Sequence, residues 1–355
     1  PLLILNTDRD SIFPLNGVTR LHNKIKRIYK LHKKTENLGL VVTPGGHFDS
    51  QELRIPAFNW FNKHLKGESS LIDKTATKFF MPKQLKVFKT EPKDERTTTI
   101  HDFFPIIKNN ESTVSKETVN ILRQKSFGGW PSTYPTLNLK KIWDVSHNEV
   151  SIAAYNFESQ KNIQLRMYIS QKNRIDKPKS IHIHVLKEDE WKHFLIGNRI
   201  NLGSHLQEEI AISNIKANAV LNDKTKSKLA NNLNRVRNNS EVQIIFVPRG
   251  IGPSKLTLNK RHHTQTRRRF MLLGQTLAGQ QAFDIIQCVR AIRSLSSYKN
   301  IPLEIWGNGH TSSLITISAI FQKDIHKINL LNYPKTDKEQ PAYLNISRFA
   351  TPLQL

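Results

Sequence analysis

The stretch "IPLEIWGNGHTSSLITISAIF", residues 301–321, decides the fold. Residues 301–306 read as an apolar strand, 307–309 as a tight Gly-rich turn and 310–321 as a helix. A strand, sharp turn and helix of this kind present a reactive Ser or Cys at the point of the turn, in the pattern G-x-S-x-G. Here the pattern reads Gly307, Asn308, Gly309, His310, Thr311. Gly309 has no side chain and forms no acyl intermediate. Ser312 and Ser313 fall inside the following helix, where the turn does not expose them. His310 reads as a first-turn surface residue. The expectation is a mount that keeps its packing role after its chemistry has gone.

The surrounding sequence supports an α/β reading. "VQIIFV", 242–247, is a buried strand followed by the loop "PRGIGPS". That loop has either the backbone form of an oxyanion hole or the form of a turn that holds Arg249. A helix is expected from about Ala278 to Leu295, with Ala282, Ile285, Ile286, Val289 and Ile292 as its apolar stripe. "KINLLNY", 327–333, is the next strand. Upstream, "VSIAAYNFES", "NIQLRMYIS" and "KSIHIHVLK" alternate as strands do, giving a small antiparallel sheet or the first strands of a second domain. His182 and His184 sit two apart on one strand face, a spacing that can hold a metal. Without a third ligand nearby, a surface strand is the reading.

The first 67 residues repeat the alternation. "LLIL", 2–5, and "LGLVVT", 38–43, are apolar runs of the buried parallel type. A helix from about Gly17 to Lys33 lies between them, with Val18, Leu21, Ile25, Ile28 and Leu31 on one face. A second helix, from Gln51 to Leu65, follows Ser50 as a candidate cap. Ligands of open α/β sheets bind at the carboxyl ends of the strands. Asp10 lies just past the end of the first strand, and His47 just past the end of the next, after Gly45 and Gly46. A carboxylate that accepts the imidazole N–H fixes the tautomer and leaves the other ring nitrogen as a general base. Asp8 and Asp49 are the alternative acids. Asp10 is preferred because "DSIFP" has the form Asp-x-apolar-apolar-Pro.

Composition bounds the remaining options. Of 355 residues 37% are hydrophobic, which fits a globular chain of two ordinary domains, and no apolar run is long enough to span a bilayer. The net charge of +25 raises a polyanion as partner, but the basic residues are dispersed apart from "NKRHHTQTRRRF", 259–270. The single Cys288 excludes a disulfide framework and a Cys-based zinc site.

"NTDRDSIFPLNGV", "TPGGHFDSQELRIPAFNWFNKHLKG" and "FFMPKQLKVF" resemble the C-terminal part of bacterial acetylxylan-esterase-like and dienelactone-hydrolase-like α/β-hydrolases. In particular they resemble a large form with two tandem hydrolase-like domains. "IFVPRGIGP", "RRRFMLLGQTLAGQQAFDIIQCVRAIRSL" and "YLNISRF" resemble its second domain. The resemblance implies two α/β-hydrolase-like domains with mostly parallel sheets, both incomplete, joined by an irregular connector. Residues 1–67 would be the C-terminal part of a catalytic domain, 68–147 the connector, and 148–355 a second, catalytically inactive domain truncated at its C-terminus. It implies Asp10 as triad acid and His47 as triad base, with the nucleophilic Ser on an elbow upstream of Pro1. It also implies that the Arg-rich cluster is a pre-helix loop with a structural role through ion pairs. The expected function is carboxylic-ester hydrolysis by a Ser-His-Asp mechanism in the parent protein, this fragment alone being inactive. The alternatives are a prolyl-oligopeptidase-like serine peptidase and a non-catalytic module that binds an anionic polymer. No cofactor or metal is implied. The expected partner is a small ester or acylated carbohydrate, with no membrane and with nucleic acid disfavoured. The resemblance points to a periplasmic or secreted protein.

Overall fold

The computed structural model describes residues 1–72, 80–100, 115–147, 149–173, 177–256 and 259–335. The motif "YLNISRF" lies outside them. Two compact units divide the chain, Pro1–His101 and Asp102–Leu355.

In the first unit the two apolar runs form β1 (Leu2–Thr7) and β2 (Leu38–Thr43). They pair in parallel, from Leu2 opposite Leu38 to Thr7 opposite Thr43. Parallel pairing needs a crossover, and α1 (Leu15–Leu31) supplies it, starting directly after Pro14. α2 (Gln51–Phe61) runs on into a π-helical turn, Asn62–Lys66, which Gly67 ends at φ 72. Ser50 occupies the N-cap position with extended backbone, but its hydroxyl makes no cap bond. The stripe of α1 is weakly covered: Leu21, Ile28 and Leu31 are exposed and no α1 residue is buried. Among the described residues of this unit, the buried side chains are Leu53, Asn6, Thr7, Asp10 and Thr43. Four of these five are polar and lie where the two strands end. The best-protected place in the unit is therefore the loop cluster at the carboxyl edge.

The second unit contains β3 (Lys140–His147), β4 (Val150–Gln160), β5 (Ile163–Lys172), β6 (Ser180–Val185), β7 (Glu241–Phe246), β8 (Leu303–Asn308) and β9 (Lys327–Leu331). They form one sheet in the order β3-β4-β5-β7-β6-β8-β9. β3, β4 and β5 pair antiparallel, and β5 is antiparallel to β7; β7, β6, β8 and β9 are mutually parallel. Its helices are α3 (Lys116–Lys125), α4 (Glu188–Leu202), α5 (Gln207–Ile212), α6 (Asp223–Asn239), α7 (Lys260–Leu272), α8 (Leu277–Ser294) and α9 (His310–Phe321). One sheet face packs Ile152, Tyr168 and Ile245 against Trp191, Phe194 and Leu195 of α4 and Val236 of α6. The other packs Met167, Ile183, Ile244 and Ile305 against Ile285 and Val289 of α8 and Leu314 and Ile315 of α9. The fold class is α/β, with helices on both faces of a sheet whose β7-β6-β8-β9 side is parallel.

Several stretches differ from their sequence reading. Residues 140–147, assigned to the connector, form the edge strand β3. Leu122, Phe127 and Trp130 also fall in the connector, yet they pack on Phe283, Ile286 and Ile317, and Trp130 Nε1 donates to Gly279 O at 2.8 Å. The strand carrying His182 and His184 is β6, flanked on both sides, not a surface strand. Its alternation of His with Ile suggested one wet face. Instead Ser180 Oγ, 2.8 Å from His182 Nε2, and Gln243 Oε1, 2.6 Å from His184 Nε2, give both rings partners; His182 is buried and His184 half-buried. Burial drives the pKa of His184 down to about 4. Among the described residues no cluster suited to a metal is present.

Candidate active site

In the first unit the chain leaves β1 through Asp8, Arg9 and Asp10 and leaves β2 through Pro44, Gly45 and Gly46. Asp10 turns back on its own loop: its Oδ1 accepts from Ile12 N at 2.7 Å and Phe13 N at 2.9 Å. This Asx-type arrangement frees Oδ2, which lies 2.8 Å from His47 Nδ1. With the carboxylate as acceptor, Nδ1 carries the hydrogen and Nε2 is left with its lone pair. Asp10 has 6% of its side chain exposed and His47 has 52%, so the acid is protected and the imidazole looks outward.

Burial by itself would raise the Asp10 carboxyl. The His47 bond, the Phe13 and Ile12 N–H groups and the imidazole charge outweigh it, and Asp10 is held below the usual carboxylate value. The Phe13 ring lies 5.8 Å from the imidazole, centre to centre. Asp10, His47, Phe13, Phe48 and Thr7 line a concavity of about 360 Å³. Thr7 supplies the hydroxyl there, and it is committed, donating to Gly46 O at 2.7 Å. The arrangement can orient an imidazole and accept a proton, but the lining offers no free hydroxyl or thiol.

The two rival carboxylates have other positions. Asp49 lines the same concavity. Asp8 Oδ1 accepts from Gly45 N at 2.8 Å and so points at the histidine loop rather than at the ring. Sequence reasoning missed this contact and that of Thr7. The signal available was the repeat Asp-x-Asp, whose two carboxylates leave the loop on separate errands.

In the second unit α9 occupies the residues expected, while β8 lies two residues later than the strand read at 301–306, so that Gly307 and Asn308 belong to the strand and the turn narrows to Gly309. Gly309 has φ 62 and ψ −116, a conformation that L side chains rarely adopt. A Cβ added there would meet nothing nearer than Asn332 O at 4.0 Å, so the point of the turn has room for a side chain. Gly307 is different: a Cβ would fall 2.6 Å from Ile315 Cδ1 and 2.9 Å from Ser312 N. Ser312 Oγ donates to Leu331 O at 2.9 Å, and Ser313 is 2% exposed. Neither hydroxyl reaches the mouth of the turn. Asn308 Nδ2 donates to Glu190 Oε1 at 2.8 Å, tying the end of β8 to the first turn of α4.

The loop after β7 holds Arg249, 6% exposed, whose guanidinium grips Asp284 of α8 through Nη2 to Oδ1 at 2.6 Å and Nε to Oδ2 at 2.8 Å. Ser159 Oγ donates to the same carboxylate at 2.6 Å. The turn thus serves to bury an ion pair. The basic cluster is a helix, α7, rather than a pre-helix loop, and Arg267, Arg268 and Arg269 are exposed with no ion pair among the described residues. Among the described residues, the structural role expected of them through ion pairs is not found.

No protein-family model and no curated protein matches the chain. Solved structures do resemble it. A Bacteroides fragilis protein described as an acetyl xylan esterase shares 12% identity over 60% of this chain and 51% of its own, at a TM-score of 0.44. A glucuronoyl esterase from Teredinibacter turnerae shares 11% over 60% and 49%, at 0.38. Acetyl xylan esterase 1 from Thermoanaerobacterium shares 10% over 61% and 58%, at 0.35. The chain spans about half the length of the structures it resembles.

Proposed function

We propose that the first unit carries the acid–base half of a serine carboxylic-ester hydrolase, with an acylated carbohydrate or small ester as substrate. The observation that carries this is the 2.8 Å contact between Asp10 Oδ2 and His47 Nδ1 at the carboxyl edge of a parallel strand pair. His47 Nε2 takes the proton of a serine as it attacks the ester carbonyl, and later returns it to the leaving alcohol or to the serine. Asp10 holds the tautomer and stabilises the imidazolium that forms. The reading calls for a serine that the lining of this concavity does not supply. The second unit keeps an elbow in which Gly309 stands at the nucleophile position, so it is a hydrolase-like domain without acyl chemistry. The ester specificity rests on the sequence resemblance.

The test uses the chain as it stands and an activated acyl ester. It should show no burst and no stoichiometric acylation. Acylation at one residue per chain would show a nucleophile that this reading does not contain.

One observation favours a second reading, in which the chain binds an anionic polymer: Arg267, Arg268 and Arg269 on α7 are exposed, with no ion pair among the described residues. On that reading, affinity for duplex DNA or a polyuronate collapses between low and moderate salt, and charge reversal of the three arginines flattens the salt dependence. Salt-insensitive or absent binding removes it.

A further inference from the structure

We propose that Asp8 and Thr7 are positioning residues for the general base: they clamp the Gly45–Gly46 segment and thereby aim His47 at Asp10. The proposal rests on the acid–base reading of that pair and adds how the pair is held.

A histidine on a Pro-Gly-Gly turn is poorly placed by its own backbone. Two glycines have the largest conformational freedom of any residues, and fixing them is entropically costly. Gly45 sits at φ 133, and a Cβ there would lie 2.8 Å from the Phe48 ring, so a stiffer residue is not admitted. The stiffness has to come from outside the turn, and the first loop supplies it.

Four hydrogen bonds join the loops beyond the strand ladder. Asp8 N donates to Thr43 O and Arg9 N to Gly45 O, each at 2.9 Å. Asp8 Oδ1 accepts from Gly45 N at 2.8 Å, and Thr7 Oγ1 donates to Gly46 O at 2.7 Å. The two side-chain bonds take the N–H of Gly45 and the carbonyl of Gly46, the outer polar atoms of the pair. The second lies one residue before His47. With both ends held, the freedom left to the imidazole is its own φ and side-chain torsions.

Asp8 and Asp10 therefore divide one task. Asp10 grips the ring and Asp8 grips the backbone that carries it. The bond from Asp8 is charge-assisted, and such bonds contribute about twice what neutral ones do. Asn6 extends the brace within the first loop, its Nδ2 donating to Phe13 O at 3.1 Å, which fixes the residue whose N–H holds Asp10.

The experiment reads the His47 tautomer in the whole chain by ¹⁵N NMR of labelled histidine, detected through carbon-bound protons. In the wild type Nδ1–H should dominate. Asp8→Ala and Thr7→Val should each lower the Nδ1–H to Nε2–H ratio by about tenfold, the usual worth of one lost hydrogen bond. Asp8→Asn, whose amide oxygen still accepts from Gly45, should stay within about threefold of wild type. A merely structural role would leave the tautomer of the folded protein unchanged. A wild-type ratio in Asp8→Ala and Thr7→Val, with the ratio lost in Asp10→Asn, overturns the clamp while leaving the pair. A wild-type ratio in Asp10→Asn as well removes the pair, and both the clamp and the proposed function fall with it. If Asp8→Ala fails to fold, Thr7→Val decides, since it keeps the β-branched shape and loses only the donor.

Discussion

Asp284→Ala should destabilise the second unit more than any other polar truncation in α8. The carboxylate is fully buried and accepts from Arg249 Nε, Nη2 and backbone N and from Ser159 Oγ. Removing it strands a guanidinium whose side chain is 8% exposed. Breaking a buried pair by deleting one partner costs about 3–5 kcal/mol, because the surviving charge keeps its desolvation penalty. For a unit of this size each kcal/mol lowers Tm by about 2–4 °C, so the melting transition should fall by roughly 6–20 °C. Replacing both members by apolar residues removes the stranded charge. Arg249→Met with Asp284→Leu should therefore be more stable than either Arg249→Met or Asp284→Leu alone. Thermal and urea unfolding of Asp284→Leu, Arg249→Met and the double variant make the cycle. A single variant within about 1 kcal/mol of wild type, or a double variant no more stable than the singles, would refute the reasoning.

Other outcomes follow from the same geometry. Gly309→Ala should destabilise by about 1–3 kcal/mol in urea unfolding, since φ 62 with ψ −116 strains any side chain. At a position compatible with alanine the sign would reverse, to a gain of about 0.4–1 kcal/mol, so the sign alone decides. The Asp10 carboxyl is held low in the folded state, so its stabilisation of the first unit is present above the ordinary value near 3.8 and is lost as pH falls through the lower folded value. Acid unfolding monitored in the first unit should therefore be steeper in wild type than in Asp10→Asn. Equal slopes would contradict the pairing.

Much of this was legible in the sequence, and the gaps have physical causes. β2 and α9 occupy the residues expected, because continuous apolar runs bounded by Gly and Pro leave little choice. β1 extends two residues further than its apolar run, since Asn6 and Thr7 complete the ladder with polar side chains turned into the loop cluster. The central place of β6 was hidden because its histidines imitate a solvated face while their partners, Ser180 and Gln243, lie two and 59 residues away. Asp284 was hidden for the same reason: a charge inside an apolar helix has meaning only through Arg249, 35 residues upstream. Asp10 and His47 stand at strand ends that can be located by pattern. The clamp on Gly45 and Gly46 was harder to locate, since its partners are backbone atoms and only the repeat Asp-x-Asp hinted at it.

Turnover of an acylated carbohydrate by a protein that joins this sequence to an upstream G-x-S-x-G elbow tests the central claim most directly. The acid–base account predicts that His47→Ala lowers kcat/KM by about three orders of magnitude or more, with Asp10→Asn losing a comparable share through the wrong tautomer. Near-normal turnover in His47→Ala would contradict it and place the chemistry elsewhere.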